Sequence, residues 1–139
     1  MSEPGMIAPV LALVAWTFVM WIWMYATRIP AMQRARIDVA ELSRTGGPLV
    51  LPPEVSRVAD NYNHLHEQPT IFYAVAFAAQ LGGAADATNV GLAWAYVALR
   101  VVHSLVQATK NAIPVRFAVF SLGSLVLLIV LVRTVLRVA

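Results

Sequence analysis

The chain contains no cysteine. That excludes a disulfide framework, a thiolate metal site and a thiol nucleophile of the protein's own. Charge is also scarce, at 12% of 139 residues, against about 25% in soluble domains. No internal repeat and no low-complexity tract occurs, which removes solenoids and biased linkers. The apolar runs lack period-two alternation, which argues against a transmembrane barrel. What fills the chain is apolar: 60% of residues are hydrophobic and the mean hydropathy is +0.71. Soluble domains hold about 45–50% apolar residues, so the expected solvent is lipid. At about 20 residues per span, one domain over residues 1–139 has room for four spans and one sizeable loop.

The expected class is all-α, an integral membrane four-helix bundle with spans near 6–27, 62–82, 90–109 and 115–137. The first run carries no charge and ends rich in aromatics: Trp16, Trp21, Trp23 and Tyr25. Only Glu3 precedes it as a charge. The run is too long for a signal peptide and lacks a basic start, so it reads as a retained span. Residues 28–57 form the long polar connection, with a short interfacial helix in its first part. Pro52-Pro53 can start a helix at Glu54. From there to Leu81 the pattern predicts one long helix, polar in its first half, kinked at Pro69. Thr88 or Asn89 is the expected cap of the third span, and Pro114 suits the first turn of the fourth.

Basic residues near span ends set the orientation. Arg28, Arg34, Arg36, Arg44, Arg57, Lys110 and Arg116 fall on one side; Arg133 and Arg137 are the dissenting pair. This balance places the long loop in the cytoplasm and both termini outside.

Charges inside membrane helices cost ~2.5–3.5 kcal/mol each on the insertion scale, and such residues mark function. Arg100, His103 and Gln107 share one face of span three, at spacings of three and four. Arg57, Asn61, His64 and Gln68 form a stripe on helix two, with Asp60, Asn63 and Glu67 beside it. Arg116 stands one turn into span four. Given the orientation, these residues converge on one layer near the cytoplasmic side. Surplus guanidinium suits a carboxylate ligand, because arginine offers a planar bidentate fork. Asn63, His64, Gln68 and Gln107 suit amide or amine groups, and Glu67 or Asp60 an ammonium. A small zwitterionic peptide with surplus negative charge fits, with a lipophilic partner arriving from the bilayer.

Other readings of the same residues stand beside this one. Arg100 could pair with Glu67 or Asp60 simply to hold helices together. Arg116 could snorkel to headgroups. Arg57 and Lys110 suit interfacial anchors, and Arg34, Arg36 and Arg44 a lipid-facing basic face. His64, His66 and His103 with Glu67 lack a regular metal-ligand spacing, so no metal is expected.

Asn63-His64-Leu65-His66-Glu67-Gln68-Pro69-Thr70-Ile71-Phe72 resembles the Asn-x-x-Glu…Pro…Phe signature of the MAPEG family, the membrane-associated proteins in eicosanoid and glutathione metabolism. Arg100-Val-Val-His103 and Pro114-Val-Arg116 resemble that family's third and fourth helices. The resemblance, to bacterial-type members, covers Glu54–Arg137 well and span one in outline. It implies a four-helix protomer in a homotrimer in a bacterial inner membrane, with glutathione bound as cosubstrate between protomers. It also implies a transferase or peroxidase in which Arg116, matching the family's arginine at the start of helix four, stabilises the glutathione thiolate. Arg100, His103, Asn63 and Glu67 match glutathione contacts. The spacing from Asn63 to Glu67 is one longer than common, so His64 can take the asparagine's place. Gln107 stands where several members have tyrosine, and Phe117 and Phe120 where better-known synthases have Ser and Tyr. A non-catalytic lipid-binding scaffold of the same fold is the alternative. A channel or transporter subunit is a third reading, although no inverted repeat supports it.

Overall fold

The computed structural model describes residues 4–139. Glu3, the one charge ahead of the first apolar run, lies outside the described residues. The described residues are helical, with no strand among them: α1 (Ile7–Arg34), α2 (Val39–Thr45), α3 (Pro53–His64), α4 (Gln68–Leu81), α5 (Ala87–Ala108) and α6 (Ile113–Val138). Three of these, α1, α5 and α6, are long and apolar enough to cross a membrane.

Helix α1 runs past the expected end at Thr27 to Arg34, carrying Pro30 inside it. At about 1.5 Å per residue its 28 residues span about 42 Å, more than the ~30 Å hydrocarbon layer. Part of it therefore extends beyond the apolar zone, and its charged residues, Arg28 and Arg34, both lie toward its C-terminal end. Thr27 Oγ1 donates back to the carbonyls of Trp23 and Met24, both at 3.1 Å, just before the proline that supplies no N–H. The short helix expected early in the connection falls later, at α2. Asp38 caps it by accepting the Glu41 N–H at 3.1 Å, and Gly46 ends it at φ +68, a left-handed conformation that glycine adopts without penalty.

The expected unbroken helix from Glu54 to Leu81 is two helices. Helix α3 starts at Pro53, with proline in its first turn, and stops at His64; α4 begins at Gln68. Pro69 is the cause. Its missing N–H and its ring both oppose a helix continuing through Leu65. The chain instead makes tight turns, His66 N–H to the Asn63 carbonyl at 3.0 Å and Glu67 N–H to that of His64 at 3.1 Å. It then restarts with Pro69 in the first turn of α4. At 14 residues α4 extends only about 21 Å.

The cap of α5 is Asp86 rather than Thr88 or Asn89. Asp86 is extended, and its Oδ1 accepts the Asn89 N–H at 2.8 Å. Asn89 is already inside the helix, donating its side-chain amide to the Ala84 carbonyl at 2.7 Å and accepting Arg133 Nε at 2.7 Å. Pro114 lies in the first turn of α6.

Helix α5 is the centre of the packing. It lies along α6 and touches α1 and α3, while α4 packs against α6 and α1. Leu13, Met20, Phe72, Ala76, Ala79, Ala93, Tyr96 and Val130 form the dry interior. Small residues at 76, 79 and 93 let the backbones approach, as membrane bundles require. The outward face of α6 presents Leu122, Leu125, Leu128, Leu131, Val135 and Leu136, a surface suited to acyl chains.

Candidate functional site

The end of α3, the start of α4, the C-terminal half of α5 and the first turns of α6 enclose a cavity of about 260 Å³. Its polar lining is His64, Glu67, Gln68, Arg100, His103 and Arg116, and its apolar lining Ile113, Phe117 and Phe120. The helix break contributes directly: positions 64, 67 and 68 straddle it and all face this space.

Each polar group is held differently. Gln68 has a determined amide orientation. Ser124 Oγ donates to the Phe120 carbonyl at 2.8 Å, so it must accept from Gln68 Nε2, at 2.7 Å. That turns Gln68 Oε1 toward Tyr96, whose hydroxyl donates to it at 3.1 Å. Tyr96 is itself fully buried and stacked on Phe72, with ring centroids 4.6 Å apart. One amide thus ties α4 to α5 and α6 and fixes the cavity floor. Arg116 Nη1 donates to Asn111 Oδ1 at 2.7 Å. His103 is buried, with its ring centroid 6.0 Å from that of Phe120.

Charge is unbalanced in this space. Glu67 is the single carboxylate of the lining, and its Oε2 lies 3.0 Å from His64 Nδ1. Among the described residues the only other ion pair joins Arg133 to Asp86 at 3.2 Å, at the far end of α5 and α6. Arg100 therefore has no carboxylate within ion-pair distance. It is 2% exposed, and its Nε and Nη2 make no hydrogen bond. The reading of Arg100 as an ion-pair partner of Glu67 or Asp60 is not what the structure contains. Arg116 likewise has only a neutral partner. Two guanidinium groups without counter-charge facing one enclosed space attract an anion.

Of the eight residues expected from sequence to contact ligand (Arg57, Asn63, His64, Glu67, Arg100, His103, Gln107 and Arg116), five line the cavity: His64, Glu67, Arg100, His103 and Arg116. Three do not. Asn63, one residue from His64 and so about 100° around the helix, is exposed. Arg57 lies two turns back along α3 with its Nε buried and unpartnered. Gln107 is one turn beyond His103, 2% exposed, closed into the helix packing with Oε1 unpartnered. Asn61 and Ser104 are buried in the same unpartnered way. Gln68 was visible on the helix-two stripe, but its locking partners were not. Tyr96 stands one turn before Arg100 on α5, the spacing that could have signalled it; nothing in the sequence singles out Ser124. Among the described residues no three His, Asp or Glu side chains converge as a metal site. His66 turns away, its Nδ1 2.9 Å from the Tyr62 carbonyl and its ring edge-on to that of Tyr62.

The model of the MAPEG family matches residues 6–136, nearly the whole chain. No curated protein and no solved structure matches it.

Proposed function

This chain belongs to the MAPEG family of helical membrane proteins, and we propose that it is a glutathione-dependent membrane transferase or peroxidase. The observation that carries the reading is the pair of uncompensated arginines, Arg100 and Arg116, in one cavity. Glutathione carries net negative charge and one ammonium, which a site with two guanidinium groups and one carboxylate complements. Arg100, buried and with free donors, takes a carboxylate; Glu67 with His64 faces the ammonium; Gln68 offers its remaining amide donor and acceptor to the peptide groups.

A thiol with pKa near 8.5 is mostly protonated at neutral pH. A guanidinium in a poorly hydrated site favours the thiolate. Arg116, at the open mouth beside Phe117 and Phe120, has that role. The thiol proton leaves to water. In the transferase reaction the sulfur pair forms the C–S bond while the carbon–leaving-group bond breaks and the leaving group departs with that bond's electron pair. In the peroxidase reaction two glutathiones supply two electrons, the O–O bond breaks to alcohol and water, and the disulfide forms. Phe117 and Phe120, both exposed, give the electrophile an apolar approach from the bilayer. Holding the two together adds an effective-concentration gain.

The cavity is small: about 260 Å³ against ~300–1,000 Å³ for ligand sites. A bound tripeptide then protrudes, and a neighbouring copy of the chain in a homotrimer closes the mouth. In this reading α3 and α4 jointly make the second of four spans, with both termini outside the bacterial inner membrane and the polar layer toward the cytoplasm.

The test is glutathione binding by calorimetry in detergent, with conjugation of an aryl halide followed in wild type and Arg116→Ala. Binding in both with conjugation lost in the variant supports the reading. Equal rates, or no binding at millimolar glutathione, refutes the enzyme. A stoichiometric copurified lipid in place of glutathione favours the scaffold.

A further inference from the structure

The turn between α5 and α6 does more than connect them. Asn111 has φ +50, a left-handed conformation that asparagine tolerates better than other non-glycine residues. Its N–H donates to the Val106 carbonyl at 2.6 Å, closing the end of α5. With the backbone so held, its side-chain Oδ1 is presented to Arg116 Nη1 at 2.7 Å. The turn residue and the cavity arginine are thereby one unit.

The chemistry of the partner matters as much as its position. A carboxylate would hold the guanidinium firmly but neutralise it. An amide oxygen restrains one end of the group and leaves its full charge, and its other donors, for an anion in the cavity. From this geometry we infer that Asn111 is a positioning residue: it aims Arg116 into the cavity without spending its charge. The inference rests on the proposed reading of Arg116 as the thiolate-stabilising group.

Two substitutions separate aim from charge, and both respect the backbone. Asn111→Gly keeps the left-handed turn, since glycine adopts positive φ freely, and removes Oδ1. Asn111→Asp keeps an oxygen there and adds a negative charge; aspartate also tolerates this conformation. The measurement is thiolate absorbance of bound glutathione against pH in the detergent-solubilised full chain. Wild type, the two variants and Arg116→Ala are compared, with melting temperature followed in parallel. His64, Glu67, Arg100 and His103 line the same cavity and are common to the Asn111 series, as is Lys110 beside the turn. A shift within that series therefore reports position 111.

The expected result is a thiol midpoint raised by about one pH unit in Asn111→Asp, the scale of one adjacent charge. Asn111→Gly raises it by less and lowers kcat/KM roughly three- to tenfold through lost positioning. Melting temperatures stay near wild type. If Arg116→Ala moves the midpoint but both Asn111 variants titrate like wild type, the inference falls and the proposed function stands. If the variants lose thermal stability with no midpoint shift, Asn111 is a turn residue only and the inference again falls. If glutathione bound to wild type and to Arg116→Ala shows the same thiolate titration, the reading of Arg116 falls and takes this one with it.

Discussion

Arg100→Met should make the empty protein more stable and the liganded protein less so. Arg100 is 2% exposed with two guanidinium nitrogens unpartnered, and each unsatisfied buried polar group costs ~1–3 kcal/mol. Methionine keeps much of the aliphatic stem's volume, so little packing is lost. Taking the low end for both nitrogens, the substitution returns about 2 kcal/mol. For a chain of this size about 4 °C of melting temperature accompanies each kcal/mol, so the rise is about 8 °C. Glutathione at 100 times its Kd adds about 2.7 kcal/mol to a protein that binds it only when folded, or about 11 °C here. That gain belongs to wild type alone if Arg100 holds a carboxylate. The two thermal curves, measured by differential scanning fluorimetry in detergent with and without glutathione, should exchange order. An empty Arg100→Met that melts well below wild type would show Arg100 to be a structural tie. Undiminished protection of the variant by glutathione would show that Arg100 does not touch the ligand. Either result refutes the uncompensated-charge reasoning.

Tyr96→Phe removes the one donor to Gln68 Oε1 and should cost about 1 kcal/mol of stability, the usual net value of such a bond; chemical or thermal unfolding and the glutathione Kd measured together show whether the freed amide also weakens binding. Gly82→Ala places a Cβ 2.6 Å from Val138 Cγ2 and 2.9 Å from the Ala78 carbonyl, so overpacking should destabilise it by about 1–3 kcal/mol. Gly123→Ala, whose nearest neighbours would be 3.8–3.9 Å away, should melt like wild type, and equal loss in both would contradict the packing at Gly82. The backbone N–H of Asn89, and then the Arg133 charge, hold the Asp86 carboxyl below its usual 3.8. A depressed folded value means stability present above pH 3.8 and lost as pH falls through the lower folded value. Asp86→Asn should flatten that acid limb of a melting-temperature profile, and an unchanged limb would assign it to other carboxylates.

The helical membrane class was legible because composition and run length report solvent directly, with no long-range contact needed. Boundaries were legible where a local signal dominates, as at Pro53 and Pro114. They failed where two local signals compete. Pro69 inside an apolar run reads as a kink in a long helix, yet the chain breaks there, and two tight turns before it bond the backbone that the helix leaves. Caps failed in a related way: Thr88 and Asn89 are good capping types, but Asp86 precedes both and its carboxylate reaches the Asn89 N–H first. Arg133, anomalous as a topological marker, has a partner in Asp86 that no periodicity could reveal. The site shows the same division. Helical spacing put Arg100 and His103 on one face, and that needed only the α5 pitch. Whether those charges were balanced depended on where Glu67 points, and Glu67 belongs to the break between α3 and α4. It lies beside His64, its neighbour across that break, and Arg100 is left without a counter-charge. The proline that defeats the simple helix reading therefore helps create the unbalanced charge on which the proposed chemistry rests.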